Sequence, residues 1–259
     1  MSYLDELLAL RRSAVERKKA VRSLDDLYAA LRQRSPRRPF DAALRSGSPA
    51  IVAEFKRASP SAGPINGDAD PAAVARAYEL AGAAALSVLT EQERFGGSFA
   101  DLRAARAATS LPVLCKDFVV DEYQIVEAAA ESADAILLIA AAMGAETLAA
   151  SISAAQRVGL DAVVEVHDDA EAVTAVAAGA AIVGINNRDL RTFQVDVGTA
   201  LRLRGSIPAD VTVVAESGYT SRGELVECAR AGVHAVLVGE ALMRHADPGR
   251  ALAALRGAS

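Results

Sequence analysis

The stretch IVAEFKRASPS, residues 51–61, begins as a β-strand and ends as a loop. Glu54 and Lys56 interrupt its apolar residues two positions apart, so both side chains point to the same face of the strand. Two ions on an apolar strand cost solvation free energy unless they are paired or solvated. A strand that ends in charge and breaks into a Ser-Pro-Ser turn is typical of the edge where parallel barrels and sheets hold their chemistry. Taken alone, the stretch fits an active-site strand and a structural ion pair about equally.

Further short apolar runs follow, and alanine-rich helical stretches separate them. The predicted strands are residues 51–56, 85–89, 112–115, 135–139, 162–166, 182–185, 211–215 and 235–238. The predicted helices between them are residues 71–82, 98–109, 123–132, 145–158, 169–178, 198–204 and 221–231. Strands that alternate with helices indicate parallel βαβ units, and eight such units predict an α/β fold of the (β/α)8 TIM-barrel type. A doubly wound sheet is the alternative, but it would normally place a glycine-rich turn after its first strand, where this chain reads EFKRASPS.

Residues 1–47 contain no strand-like run and differ from the rest of the chain. Leucines at helical spacing predict a first helix, and Ser23 with Asp26 three residues later predicts the capped start of a second. Two such helices bury too little apolar surface to fold alone. We therefore expect a helical N-terminal extension, residues 1–47, packed on a barrel of residues 48–259 within a single domain.

Bulk composition excludes several classes of partner. The net charge of −5 over 259 residues gives no general attraction to nucleic acid or to an anionic membrane. Acidic residues in the first apolar turns argue against a signal peptide, and no apolar run reaches the roughly 18 residues of a membrane span. Cys115 and Cys228 are isolated, which fits a reducing cytoplasm.

The three histidines have no partner at metal-ligand spacing, so no metal site is predicted. His167 follows Glu165 by two residues and fits either a group that supports Glu165 or, as the favoured interpretation, a loop-packing or surface side chain. No P-loop or GxGxxG motif indicates a nucleotide.

Polar and charged residues recur where the predicted strands end. They are Glu54, Lys56, Lys116, Glu165, Asn186 and Glu216. In a barrel these strand ends form one rim, and burial of so many ionisable groups is costly unless they act together. The pattern favours a catalytic rim over a structural ion network.

A phosphate site is predicted beside this rim. The loops after the seventh and eighth strands of many barrels bind phosphate through backbone N–H groups and a helix N-terminus. Here Ser217-Gly218 and Gly239-Glu240 occupy those loops, and the hydroxyl of Ser59 can be added from the first loop.

Several longer motifs carry a closer resemblance. They are AEFKRASPSAG (53–63), PVLCKDFVVDEYQI (112–125), VVEVHD (163–168), IVGINNRDLRTFQVD (182–196), VVAESG (213–218) and HAVLVGEALMR (234–244). In these motifs, and over essentially all of residues 50–250, the chain resembles the indole-3-glycerol phosphate synthase family. The N-terminal extension is also a feature of that family, in which it packs near the barrel mouth and helps to hold the substrate.

The resemblance implies a reaction that needs no cofactor. The substrate, 1-(2-carboxyphenylamino)-1-deoxyribulose 5-phosphate, would close to indole-3-glycerol phosphate with release of carbon dioxide and water, a carbon–carbon lyase step of tryptophan biosynthesis. Lys116 would be the general acid and Glu165 the acid or base of the dehydration. Lys56 would contact the substrate carboxylate, and the order of the two lysines as proton donors stays open.

The remaining roles are also implied by the resemblance. Glu54 and Glu216 would position the lysines and sugar hydroxyls, while Asn186 and Arg188 would lie beside the substrate. The phosphate site would contain Ser59, Ser217, Gly218, Gly239 and Glu240. Of Glu240, only the backbone could bind the phosphate, because a carboxylate repels the anion. An aromatic substrate also needs an apolar wall, and the candidates are Pro60, Phe95, Phe118, Leu137 and Leu190, the last favoured as ordinary loop packing.

Two alternatives remain at this point: another phosphate-binding barrel, such as an isomerase of amino-acid biosynthesis, and a non-catalytic barrel scaffold. The chain is expected to act on a phosphorylated small molecule, as a cytoplasmic monomer that binds neither nucleic acid nor membrane. Association with other tryptophan-pathway enzymes is left open.

Overall fold

Eight parallel strands close into a barrel in the computed structural model, which describes residues 3–189 and 192–257. The strands are β1 (Ala50–Phe55), β2 (Ala85–Leu89), β3 (Val113–Lys116), β4 (Ala135–Ile139), β5 (Asp161–Val166), β6 (Ile182–Asn186), β7 (Thr212–Glu216) and β8 (Ala235–Val238). Each pairs with its sequence neighbours, and β1 closes the ring against β8. The predicted (β/α)8 barrel is confirmed, with strand ends within two residues of their predicted positions.

Helices surround the barrel and form the extension. The extension contains α1 (Tyr3–Val21), α2 (Leu24–Leu31) and α3 (Phe40–Leu44). The others are α4 (Pro71–Leu80), α5 (Phe99–Ala108), α6 (Glu122–Ala130), α7 (Ala145–Arg157), α8 (Asp169–Ala177), α9 (Gly198–Leu203), α10 (Arg222–Arg230), α11 (Glu240–Met243) and α12 (Pro248–Arg256). No helix in the described part of the chain has the length and apolar character needed to cross a bilayer.

Local sequence signals set the helix boundaries. The predicted capping box of Ser23 and Asp26 is present at α2, and Ser221 with Glu224 forms another at α10. Gly82 and Gly159, which follow helices α4 and α7, have φ values of +85° and +72°. Only glycine takes this left-handed conformation without strain, so these residues end the helices and turn the chain toward the next strand.

The barrel interior is built in layers from alternate strands. Val52, Leu114, Val163 and Val214, from the odd-numbered strands, lie in one buried apolar cluster. Residues two positions further along a strand point to the same side. These positions are Glu54, Lys116, Glu165 and Glu216, so the apolar layer is followed toward the carboxyl ends by a layer of charge. The packed apolar layer thus fixes the position of the ionic layer along the barrel axis.

The N-terminal extension packs on the barrel at both ends. Phe40 and Leu44 of α3 are buried in the inner cluster near the strand starts, and Leu4 and Leu7 of α1 join the same cluster near the mouth. These contacts support the expected division into residues 1–47 and 48–259 of one domain, which stays a prediction. Helix α3, helix α12 and a short hairpin of Ala58–Ser59 with Gly63–Pro64 were outside the sequence prediction.

One buried ion pair ties α1 to the strand that carries Lys116. Arg11 Nη2 lies 2.8 Å from Asp117 Oδ2, with side chains only 6% and 4% exposed. Asp117 also accepts a hydrogen bond of 2.8 Å from Thr90 Oγ1, at the end of β2. The extension is therefore anchored beside the ionic layer.

Arg11→Ala should lower the free energy of unfolding by about 3–5 kcal/mol, because it leaves the Asp117 carboxylate buried without its cation. Arg12→Ala is the matched control, since Arg12 is the next residue of the same helix and is exposed; it should change stability by less than about 0.5 kcal/mol. Urea denaturation measures both. Equal effects of the two substitutions would contradict the anchoring role of Arg11.

Candidate active site

A cavity of about 420 Å³ opens at the carboxyl ends of the strands. Every predicted site residue lines it: Glu54, Lys56, Ser59, Pro60, Phe95, Lys116, Phe118, Leu137, Glu165, Asn186, Arg188, Glu216, Ser217, Gly218, Gly239 and Glu240. Leu190 lies outside the described residues. The barrel thus brings together groups that are far apart in sequence, as the strand-end pattern predicted.

Lys116 is the centre of the ionic layer. Its Nζ lies 2.8 Å from Glu165 Oε2 and 2.7 Å from Glu216 Oε2, and its side chain is only 14% exposed. Burial disfavours the ammonium form, but the two carboxylates and Glu54 outweigh it and raise the pKa of Lys116 above its ordinary value. The side chain is a cation held at the floor of the cavity.

The two carboxylates beside Lys116 differ from each other. Burial raises the pKa of Glu216 to about 7, although Lys116 opposes this. Burial acts on Glu165 too, but there Lys116 and His167 together lower the pKa below its ordinary value. The second oxygen of Glu216, Oε1, is buried and has no hydrogen-bond partner among the described residues. At neutral pH the pair therefore offers an ionised carboxylate and one that is close to its protonation point.

His167 lies beside the second oxygen of Glu165. Its Nε2 lies 3.4 Å from Glu165 Oε1. The favoured sequence interpretation, a loop-packing or surface side chain, does not account for this contact, and the other interpretation, a group that supports Glu165, stays a prediction.

A second lysine–carboxylate pair stands on β1 and the residue after it. Lys56 Nζ lies 2.8 Å from Glu54 Oε1, so the two side chains share one face, as their two-residue spacing predicted. Ser87 Oγ lies 3.3 Å from the other oxygen, Glu54 Oε2, and donates to it. A Cβ on Gly239 would overlap Glu54 Oε1, so the absence of a side chain there leaves room for the carboxylate.

The predicted phosphate end has an unusual backbone. Ser217 and Gly218 follow β7 with φ values of +68° and +91°, and a Cβ on Gly218 would fall 2.6 Å from Val195. Glu240 Oε1 accepts hydrogen bonds from Arg244 Nε at 3.0 Å and from Arg244 Nη2 at 2.8 Å. Arg244 therefore offsets the negative charge that Glu240 brings to this end of the cavity.

Arg188 joins the phosphate end to the loop after β6. Its Nη2 lies 4.0 Å from Glu240 Oε2, and its Nη1 donates a hydrogen bond of 3.1 Å to the Phe193 carbonyl. Its backbone N–H donates to Asn186 Oδ1 at 3.0 Å. These contacts orient the guanidinium along the cavity wall.

Aromatic residues form another wall of the cavity. The rings of Phe95 and Phe118 are 5.8 Å apart, and those of Tyr3 and Phe193 are 4.9 Å apart in an edge-to-face arrangement. Sequence reasoning named the first pair and missed the second. Tyr3 and Phe193 stand far apart in sequence, and the available signal was an aromatic residue at the start of the amphipathic first helix.

No group of three or more His, Cys, Asp and Glu side chains is placed to hold a metal ion within residues 3–189 and 192–257. Glu91, which follows β2, faces its own loop: its carboxylate accepts hydrogen bonds from the backbone N–H groups of residues 93–95 at 2.8–3.0 Å. It is a loop-capping residue.

Comparison with known proteins identifies the family. The sequence model of the family described as indole-3-glycerol phosphate synthase matches residues 4–255. The chain belongs to this family. An indole-3-glycerol phosphate synthase of Kineococcus radiotolerans is 47% identical, over 98% of this chain and 95% of that protein. Indole-3-glycerol phosphate synthase 2 of Streptomyces coelicolor is 47% identical, over 97% of each chain. The predicted family is confirmed, and with it the enzyme class, a carbon–carbon lyase of tryptophan biosynthesis.

Solved structures share the fold at low sequence identity. N-acetylmannosamine-6-phosphate 2-epimerase from Clostridium perfringens superposes with a TM-score of 0.64 at 15% identity, over 81% of this chain and 93% of that one. Thiamine phosphate pyrophosphorylase from Pyrococcus furiosus gives 0.61 at 18% identity, over 85% and 97%. These similarities support the barrel and carry no argument about the reaction.

Gly184→Ala should lower kcat for indole-3-glycerol phosphate formation by about 100-fold, because misplacing a catalytic group by about 1 Å costs that much. A Cβ on Gly184, in β6, would overlap Glu216 Oε1 and push the carboxylate from Lys116. Gly144→Ala is the control, since its Cβ would meet nothing within 4 Å. An unchanged kcat in Gly184→Ala would show that the position of Glu216 does not limit turnover.

Proposed function

We propose that this chain converts 1-(2-carboxyphenylamino)-1-deoxyribulose 5-phosphate into indole-3-glycerol phosphate, carbon dioxide and water. The observation that carries the proposal is the buried Lys116 ammonium between two unequal carboxylates at the floor of the cavity. The reaction needs a proton for a carbonyl oxygen and later a base for a ring proton. The cluster offers both kinds of group within hydrogen-bond distance of one another.

Lys116 acts in the ring closure. The aromatic carbon that bears the carboxylate attacks the ribulose carbonyl, and the carbonyl oxygen takes a proton from the Lys116 ammonium as it becomes a hydroxyl. Loss of carbon dioxide returns the bonding electrons to the ring. A charge already fixed where negative charge develops stabilises the transition state without reorganisation.

Glu165 acts in the dehydration. The new hydroxyl takes a proton from a rim ammonium, Lys116 or Lys56, and leaves as water, and an ionised carboxylate takes the ring proton that must depart to form the indole. Glu165 suits this role because Lys116 and His167 hold its pKa low. Glu216 and Asn186, which pair at the ends of β7 and β6, orient the lysine and the sugar hydroxyls.

Lys56 lines the same cavity and is proposed to bind the substrate carboxylate until it leaves. Glu54, 2.8 Å away, holds the ammonium in place. Because Lys56 is also a protonated amine on the cavity wall, it is the second candidate for the proton donor in ring closure.

The phosphate is proposed to bind where the loops after β1, β7 and β8 line the cavity. The hydroxyls of Ser59 and Ser217 and the backbone of Gly218 and Gly239 line that part of it. Arg188 supplies positive charge. The contribution of Glu240 is confined to its backbone, since its carboxylate is held by Arg244.

The aromatic ring of the substrate is proposed to lie against Phe95, Phe118, Leu137 and Pro60, all of which line the cavity. Tyr3 and Phe193 extend this wall. Burial of the substrate's aromatic ring against such side chains contributes binding free energy. Polar contacts to its carboxylate and phosphate groups fix its orientation in the cavity.

We further propose that the chain works in the cytoplasm as a monomer and as a single domain. Two free cysteines and a net charge of −5 support this setting. The proposed chemistry uses no cofactor, because every proton and electron pair is supplied by the substrate or by rim residues.

Incubation with the carboxyphenylamino-deoxyribulose phosphate should give indole fluorescence, and Lys116→Met should lower kcat by about 10²–10⁴-fold, the usual worth of a general acid. Lys19→Met is the control, since Lys19 lies on α1 and pairs with Glu16 and Asp121. Absence of product with ample wild-type enzyme would overturn the activity. Near-normal turnover of Lys116→Met would assign the acid to another group.

A further inference from the structure

His167 lies between two carboxylates just after β5. Its Nε2 is 3.4 Å from Glu165 Oε1 and its Nδ1 is 3.1 Å from Glu171 Oε2, while its backbone N–H donates to the same Glu171 oxygen at 2.8 Å. The side chain is only 14% exposed. Glu171 is itself fixed in the first turn of α8, where its backbone N–H donates to Asp168 Oδ1 at 2.9 Å.

Only one protonation state of the ring suits both neighbours. A neutral imidazole has one donor nitrogen and one acceptor, and an acceptor facing a carboxylate is repelled; the imidazolium has two donors. Burial opposes the charge, but Glu165 and Glu171 outweigh it and raise the pKa of His167 to about 10. Because Nε2 makes no aligned hydrogen bond, its contact with Glu165 is chiefly electrostatic.

Glu165 and Glu216 differ in the cationic side chains that they contact. Glu165 has Lys116 on one oxygen and His167 on the other, at 2.8 Å and 3.4 Å. Glu216 has Lys116 on Oε2, while its Oε1 is buried, faces the backbone of Gly184 and has no hydrogen-bond partner within residues 3–189 and 192–257. Glu54 of β1 also acts on this cluster and disfavours charge on Glu216.

We propose that His167 is a positioning residue that makes the two carboxylates beside Lys116 unequal: as an imidazolium it holds Glu165 ionised, so a proton taken up by this cluster resides on Glu216. The consequence for turnover rests on the proposed function. Glu165 is then ready to accept the ring proton, and Glu216 in its neutral form can donate a hydrogen bond without competing for the charge of Lys116.

The first test observes the His167 ring by NMR in the wild-type enzyme and needs no turnover, so it stands even if the proposed reaction fails. The ring signals of His167 should stay in the protonated form from about pH 6 to about pH 8, because the two carboxylates raise its pKa to about 10. Titration of His167 near the ordinary histidine value of about 6.5 would overturn the proposal.

The second test measures kcat against pH in His167→Gln and His167→Lys. Without the cation, Glu165 binds the proton more tightly, so the acid limb of the profile should move upward by about one pH unit in His167→Gln. His167→Lys should restore the wild-type limb, and His245→Gln should leave it unchanged. A limb that stays in place in His167→Gln, with or without loss of thermal stability, would show that the ring only packs the loop.

Discussion

A single buried ammonium organises this molecule: Lys116 Nζ lies within 2.8 Å of both Glu165 and Glu216. The three residues come from β3, β5 and β7, and with Glu54 of β1 they make one ionic layer from alternate strands. Such a layer exists only where barrel closure and strand register set four side chains at the same height. The valine and leucine layer directly beneath it supplies that register, so the apolar core positions the chemistry.

The second constraint is that the rest of the chain must shield the ionic layer from solvent. Helix α1 brings Tyr3, Leu4 and Leu7 to the cavity and is held there by the buried pair of Arg11 and Asp117. Asp117 directly follows Lys116, so the anchor of the extension and the centre of the site lie on adjacent residues. Partial exclusion of water strengthens every ionic contact in the layer. The extension is thus part of the active site as well as of the fold.

The sequence was informative wherever a signal was local or periodic. The two-residue spacing of Glu54 and Lys56 predicted that they share one face, and recurring strand-end polar residues predicted the ionic part of the cavity. Contacts set by long-range packing were missed. Tyr3 meets Phe193 across most of the chain, and Arg11 of α1 meets Asp117 after β3. No periodicity encodes such meetings, because they follow from how elements dock. The pairs of Glu240 with Arg244 and of His167 with Glu171 are different, because their i,i+4 spacing was a local signal that sequence reasoning did not use.

The buried ions serve the reaction and lower the free energy of unfolding near neutral pH. Burial raises the pKa of Glu216 from 4.5 to about 7, so the stability its neutral form contributes is present below pH 4.5 and is lost as pH rises through 7. The most direct measurement is the free energy of unfolding of Glu216→Gln relative to wild type at about pH 5 and about pH 8. Because glutamine cannot ionise, the account predicts that the difference shifts in favour of the variant as pH rises, while its kcat falls. A difference that is constant with pH, or that shifts in favour of the wild type, would contradict the account.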